Sequence, residues 1–172
     1  DGTLEMWAPS QNPQAGQASV AQMLGLKPDQ VTVHITRMGG GFGRRLVNDF
    51  MHQSAAIAAK MPGTPVQLIW SREDDLATGK FRPMTAHHIE AGFDASGKLI
   101  AWHHRVVAES VAAYTSIANG TPPPSLDRVV MKGSPIPQYP IPNKLAEHVV
   151  ETRGARLAAF RGVGNAYNAF AA

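Results

Sequence analysis

The sequence has no cysteine, which removes disulfides and thiolate metal ligands from this chain. Nowhere does it run about 18 apolar residues without interruption, so no membrane span is expected. It has little excess of one charge. A formal net charge of +3 permits an anionic ligand but does not call for nucleic acid. It also lacks the makeup of a disordered chain, since 44% of its residues are hydrophobic and only 17% charged. No repeat with a period of about 20–50 residues is visible. A starting Met and a signal peptide are missing, and Asn168-Ala169-Phe170-Ala171-Ala172 stops inside an apolar stretch. We expect a fragment of a longer protein. Its 172 residues suffice for one domain with a real core, or one domain plus an appendage.

What is present is glycine, concentrated at one place. Arg37-Met38-Gly39-Gly40-Gly41-Phe42-Gly43-Arg44-Arg45 follows a strand-like run, Val31 to Thr36, and precedes a helix-like run, Asp49 to Met61. Glycines so dense offer almost nothing to bury. They free the backbone for positive φ and let another group approach the main chain. Exposed N–H groups near a helix start, with two arginines beside them, suit an anion. A second such turn, Phe160-Arg161-Gly162-Val163-Gly164, precedes a small-residue, helix-like stretch. Two Arg/Gly turns could clasp one anion from two sides.

Around these turns the periodicities alternate between helix and strand. Asp1-Gly2-Thr3 reads as a turn into the strand Leu4 to Ala8. Ser10-Gln11-Asn12 reads as a cap for a helix that ends at Gly25. Asn48 or Asp49 caps the next helix, and Val66 to Trp70 reads as an interior strand. Ser71 opens a short helix with acids in its first turn. Thr85 to Phe93 and Leu99 to Ala108 form a long hairpin about Asp94 to Lys98. One His from each of His87-His88 and His103-His104 could meet across that ladder and bind a metal, although no third ligand is evident. Ala118 to Pro142 is rich in Pro and Gly, including Gly120 and Pro137, and is expected to lie extended against something larger. Leu145 to Thr152 reads as a return strand.

Taken in order, Trp7 to Pro13, Met23-Leu24-Gly25, Val31 to Arg45, Trp70 to Asp75 and Phe160 to Gly164 resemble the molybdenum-cofactor-binding subunit of the xanthine oxidase family of molybdenum hydroxylases. The similarity covers nearly the whole chain. The Gly-Arg-Arg ending and the Asn-Ala-Tyr-Asn-Ala-Phe tail look closest to the isoquinoline 1-oxidoreductase and bacterial aldehyde dehydrogenase branch. The resemblance implies an enzyme that adds water-derived oxygen to an aldehyde or N-heterocycle. It implies a molybdopterin-type cofactor, of which the cytosine dinucleotide is one form, with molybdenum held through the pterin dithiolene and not by side chains. It also implies electron exit through iron–sulfur clusters on a small 2Fe-2S partner subunit, and contacts with the remainder of the same subunit. Carried over residue by residue, the cofactor-facing positions are Gly40, Gly41, Phe42, Gly43, Arg44, Arg161 and Gly162.

Two departures from the family pattern matter. Leu46 stands where the xanthine enzymes have a purine-binding carboxylate, so Leu46 is expected to line a pocket for a more apolar aldehyde or heterocycle. The family's catalytic glutamate sits in a Gly-Glu pair that has no counterpart here. Glu90, Glu109 and Glu151 do not occupy that context, so no catalytic residue is assigned and the fragment alone is expected to be inactive. The competing reading is a non-catalytic module that holds a phosphate-bearing ligand on its glycine loops. A third is a structural piece whose Pro-rich arm docks on a partner. The compartment stays open between cytoplasm and periplasm. The expected fold is α+β: a two-layer mixed sheet with two main helices on one face, a long β-hairpin and a Pro-rich extended arm. Residues 1–117 would form the molybdopterin-binding unit, 118–144 the connection, and 145–172 the return strand with the second turn.

Overall fold

A computed structural model describes residues 2–118, 122–136 and 138–172. Asp1, Gly120 and Pro137, which entered the sequence reading, lie outside the described residues. The chain divides into two compact units, Asp1–Gly79 and Lys80–Ala172.

The first unit is built on a strand–helix–strand start. Strand β1 (Leu4–Ala8) pairs in parallel with β2 (Val31–Ile35), with Met6 opposite Val33. Parallel neighbours need a crossover, and helix α1 (Pro13–Leu24) supplies it. Pro13 opens α1, where its missing N–H costs nothing, and Gly25 closes it in the left-handed conformation. Helix α2 (Asp49–Ala58) crosses α1 where Gly16 leaves room for Met51. Met6, Ala8, Val20, Ala21, Val31, Met51 and Ala55 form the core. Helix α3 (Arg72–Thr78) starts at a reciprocal Ser71–Asp74 capping box, as its sequence predicts.

The second unit carries a three-stranded sheet in the order β3-β4-β5. Strands β3 (Thr85–Phe93) and β4 (Leu99–Ala108) form the predicted antiparallel hairpin. Strand β5 (Asn143–Val150) lies parallel to β4. Trp102, His104, Val106 and Ala108 point inward from β4, and His103 and Arg105 outward, the two-residue alternation of a half-buried strand. Helix α4 (Val111–Ala118) follows β4, and α5 (Val163–Ala171) follows the second Arg/Gly turn.

The α+β class is as expected, with two small sheets in place of one. Three details differ from the sequence reading. Residues 66–70 join no ladder, and Ile69 is 76% exposed. Asn48 does begin α2 but makes no capping bond there, because its side chain is used elsewhere. The middle of the Pro-rich segment is not extended. Residues 128–135 make successive turns and bury Val130, Met131 and Ser134. The parallel pairing of β4 with β5 explains this: the crossover must traverse the sheet's face, and it becomes core as it does so. Asp127 organises that passage. Its buried carboxylate accepts from the Ser110 hydroxyl and from the N–H groups of Ala112, Val129 and Val130. Among the described residues no helix is long and apolar enough to cross a membrane.

Candidate functional site

The glycine-rich loop leaves the end of β2 and enters a short 3-10 turn, Arg44–Leu46. Gly40 has φ of 123°, and a Cβ on it would strike the Phe42 ring at 2.7 Å. Gly41 has ordinary φ but no space: a Cβ there would lie 2.4 Å from Gln11 Oε1. Phe42, which has a side chain, is nonetheless held at φ of 49° and is 60% exposed. Such a conformation costs about 1–2 kcal/mol and persists only where neighbours impose it.

One neighbour that fixes the loop beside Phe42 is Gln11. Its Oε1 accepts the Gly43 N–H at 2.9 Å, while its own N–H donates to the Arg45 carbonyl at 2.9 Å. Behind it stands a polar knot. The Ser10 hydroxyl donates to Asn48 Oδ1 at 2.6 Å, and Asn48 Nδ2 donates to the Asn12 carbonyl at 3.0 Å. Ser10-Gln11-Asn12 therefore anchors the loop, and capping α1 is not its main task. The sequence reading missed this because the partners lie more than thirty residues away. The one local signal was three consecutive amide or hydroxyl side chains before Pro13.

The arginines divide their roles. Arg44 forms a two-point pair with Asp49 at 3.0 and 3.1 Å and lies over the Trp70 ring. Its charge is thus largely matched within the protein. Arg45 lies over Phe50 and donates to the Pro9 carbonyl, with no carboxylate partner among the described residues. The N–H groups of Gly39, Gly40 and Gly41 donate to no protein acceptor among the described residues. Leu46 sits at the end of the turn, 41% exposed. Three amides without a protein acceptor among the described residues, a glycine at 41 and the Arg45 guanidinium four residues on make a cradle that suits a bulky anionic group lying against backbone.

In the second unit, Gly162 (φ 68°) is the left-handed residue that begins α5. The Arg161 carbonyl accepts from the Arg82 guanidinium. Helix α5 is pressed onto the 128–135 turns. A Cβ on Gly164 would lie 2.5–2.7 Å from the carbonyl oxygens of Val129, Val130 and Lys132. Buried Asn168 donates to the Val130 and Lys132 carbonyls. Burial, reinforced by the Asp127 charge, raises the Tyr167 hydroxyl well above its usual range. The Arg161–Gly162 turn is therefore held from behind by a tight helix–loop contact.

The hairpin histidines are engaged with one another and with carboxylates. His87 Nδ1 and His104 Nε2 stand 2.9 Å apart, so one ring donates to the other. Burial lowers the pKa of both, and for His104 the nearby His87 adds to the effect. On the opposite face, His103 is held between Glu90 and Glu147, and Arg105 shares Glu147. Among the described residues, no group of three or more His, Asp or Glu could hold a metal. The three glutamates set aside from catalysis are also occupied. Glu90 is bonded to His103 and His88. Glu109 accepts from the N–H groups of Arg153 and Ala155. Glu151 lies beside Arg153.

A family profile described as "Molybdopterin cofactor-binding domain" matches residues 1–172. The chain is 40% identical over 111 residues to the isoquinoline 1-oxidoreductase subunit beta of Brevundimonas diminuta, covering 64% of this chain and 14% of that protein. It is 32% identical over 169 residues to the xanthine dehydrogenase/oxidase of Rattus norvegicus, covering 95% of this chain and 12% of that protein. The fold is similar to the aldehyde oxidoreductase of Desulfovibrio gigas, with a TM-score of 0.71 at 22% identity, over 93% of this chain and 17% of that one. The chain thus spans only 12–14% of the length of these two curated relatives.

Proposed function

The chain belongs to the molybdopterin cofactor-binding domain family, and from that membership we propose that it is part of the catalytic subunit of an oxidoreductase that hydroxylates aldehydes or N-heterocyclic aromatics. The observation that carries this reading is the Gly39–Gly43 loop, with amides at Gly39, Gly40 and Gly41 that have no acceptor among the described residues and no room for a side chain at Gly41. When bound, a molybdenum–pterin group supplies the redox chemistry by which a substrate carbon gains oxygen from water.

The residues of this chain bind and position. Gly40, Gly41, Phe42 and Gly43 let the group lie against the main chain, and the amides of Gly39, Gly40 and Gly41 offset its negative charge. Gln11 keeps the loop in its strained form. Arg44 holds the following turn through Asp49, and Arg45 adds positive charge. Arg161 and Gly162 are assigned to the same group on the family resemblance alone. Leu46 faces substrate in this reading and favours an apolar aldehyde or aromatic heterocycle over a purine. No glutamate of this chain stands in the family's Gly-Glu context, so the general base is assigned to the remainder of the subunit. Electrons pass to iron–sulfur clusters on a small 2Fe-2S partner, and the cytosine dinucleotide is one form the pterin can take.

The test is metal and pterin analysis of the full-length subunit co-expressed with its small iron–sulfur partner. Stoichiometric molybdenum and pterin are expected. Stabilisation by nucleotides but not by pterin, with no molybdenum bound, would replace this reading with that of a phosphate-binding module.

A further inference from the structure

Within the second unit, β4 turns alternate residues toward the crossover. Trp102 clusters with Ile136, and Val106 with Val130 and Met131. His104 stands between them on the same face and is fully buried. It therefore faces the stretch from Met131 to Ile136, where Ser134 is fully buried too. The Ser134 N–H and hydroxyl both donate to the Met131 carbonyl. What Ser134 has left, its carbonyl and its hydroxyl lone pairs, can only accept. His104 Nδ1 is buried and completes no hydrogen bond. As a bare lone pair it would meet no donor at Ser134, whereas as N–H it meets acceptors, so Nδ1 carries the hydrogen. Burial, then His87, lowers the His104 pKa, while the Ser134 backbone favours the protonated ring, as an acceptor would. The rest of the chain follows. Neutral His104 has a bare Nε2, which accepts from His87 Nδ1–H at 2.9 Å. Neutral His87 then has a bare Nε2, which accepts from the Thr85 hydroxyl at 3.0 Å. The bonds run one way, from half-buried Thr85 through two rings to the crossover.

A proton arriving at His87 Nε2, the outer end, breaks nothing, because the Thr85 hydroxyl turns and accepts instead. A second proton goes to His104 Nε2 and sets two N–H groups face to face. No water reaches a charged His104 unless the turn above it lifts. That turn is already strained, since Ile136 is β-branched and stands at φ of 38°. We propose that Thr85, His87 and His104 form an acid-released latch, which holds residues 131–136 against β4 while His104 is neutral and frees them when it takes a proton. Among the described residues no carboxylate is bonded to either ring. From β5, Lys144 and His148 share this face; Lys144 donates to the Ile136 and Tyr139 carbonyls, and His148 to the Ala108 carbonyl. From α5 comes Tyr167, which burial and the Asp127 charge keep protonated against the opposing charge of Arg82. Asp127 itself is taken up by Ser110 and backbone N–H groups. His103 lies on the reverse face with Glu90 and Glu147. Burial lowers the pKa of both latch histidines, so the closed turn has its full stability above 6.5 and loses it as pH falls.

The test is hydrogen exchange of the full-length subunit, read by mass spectrometry and corrected for the intrinsic effect of pH. An opening that takes up one proton becomes about tenfold more favourable per pH unit. Residues 131–136 are therefore expected to lose protection about tenfold or more between about pH 6 and 5, and to lose more than the hairpin does. Exchange at the His104 ring carbon between the two nitrogens should stay slow until they open. His104→Gln should remove the excess loss, and His87→Gln, which still offers His104 a donor, should keep it. Level protection at 131–136 across this range overturns the proposal, as does a fall no larger than the hairpin's. So does an undiminished excess in His104→Gln. Should that variant not fold, the wild-type protein decides: a His104 ring that titrates while the turn stays protected overturns the latch.

Discussion

At the scale of single residues, the cradle is a contest between Gly41 and Gln11 for the same space. Alanine at 41 would push Gln11 aside and break its bond to Gly43. That bond, together with the relief of crowding, is worth on the order of 1–2 kcal/mol. In the full-length subunit, Gly41→Ala and Gln11→Ala should each lower the molybdenum-to-protein ratio. The double variant should be little worse than Gly41→Ala alone, because both act through one contact; metal analysis of the three variants measures this. Asp127 offers a test away from the cradle. Asp127→Ala leaves buried N–H groups without an acceptor, each costing about 1–3 kcal/mol. A loss of about 3 kcal/mol or more is expected in denaturant unfolding, with α4 and the 128–135 turns exchanging first. The long-range part of neither role could be read from sequence, because Gln11 reaches Gly43 and Asp127 reaches Ser110 and Ala112 on other elements.

At the scale of elements, the hairpin shows why some structure is legible. Thr85–Phe93 and Leu99–Ala108 carry their alternation and their turn together, so their bounds emerge as predicted. Residues 66–70 alternate just as clearly but have no ladder, since alternation specifies a strand's faces and not its neighbour. The hairpin also titrates differently on its two faces. The Glu90 hydrogen bond, then that of Glu147, raises the pKa of His103 above 6.5. Its contribution is therefore full below 6.5 and fades as pH rises through the raised value. His103 in turn lowers both carboxylates below 4.5, so their contribution is full above 4.5 and fades on acidification. Burial lowers the pKa of His87 and His104, and their neutral packing disfavours the fold as pH falls below 6.5. Hairpin amide protection should accordingly drop between about pH 6.5 and 5. His103→Gln should deepen that drop and change little once the pH exceeds the raised His103 value. Hydrogen exchange across a pH series reads both effects.

At the scale of the whole molecule, the chain forms two compact units and spans only 14% of the length of its isoquinoline 1-oxidoreductase relative. Residues 1–172 expressed alone are expected to oxidise no aldehyde or heterocycle even with cofactor supplied. The full-length subunit with its partner should do so, and a dye-reduction assay separates the two. The sequence by itself determined the chemistry of the loops: glycines that clear the main chain, an ordered set of motifs that names the family, and local turns, caps and alternations. These depend on neighbours within a few residues, where spacing and φ preference act directly. Only the tertiary structure decided that Gln11 braces the loop, that Arg44 is matched by Asp49, that the histidines pair with each other and with carboxylates, and that the Pro-rich crossover becomes core. Those outcomes depend on which distant groups share a buried space, and burial forces each polar group to find its partner wherever the fold brings one.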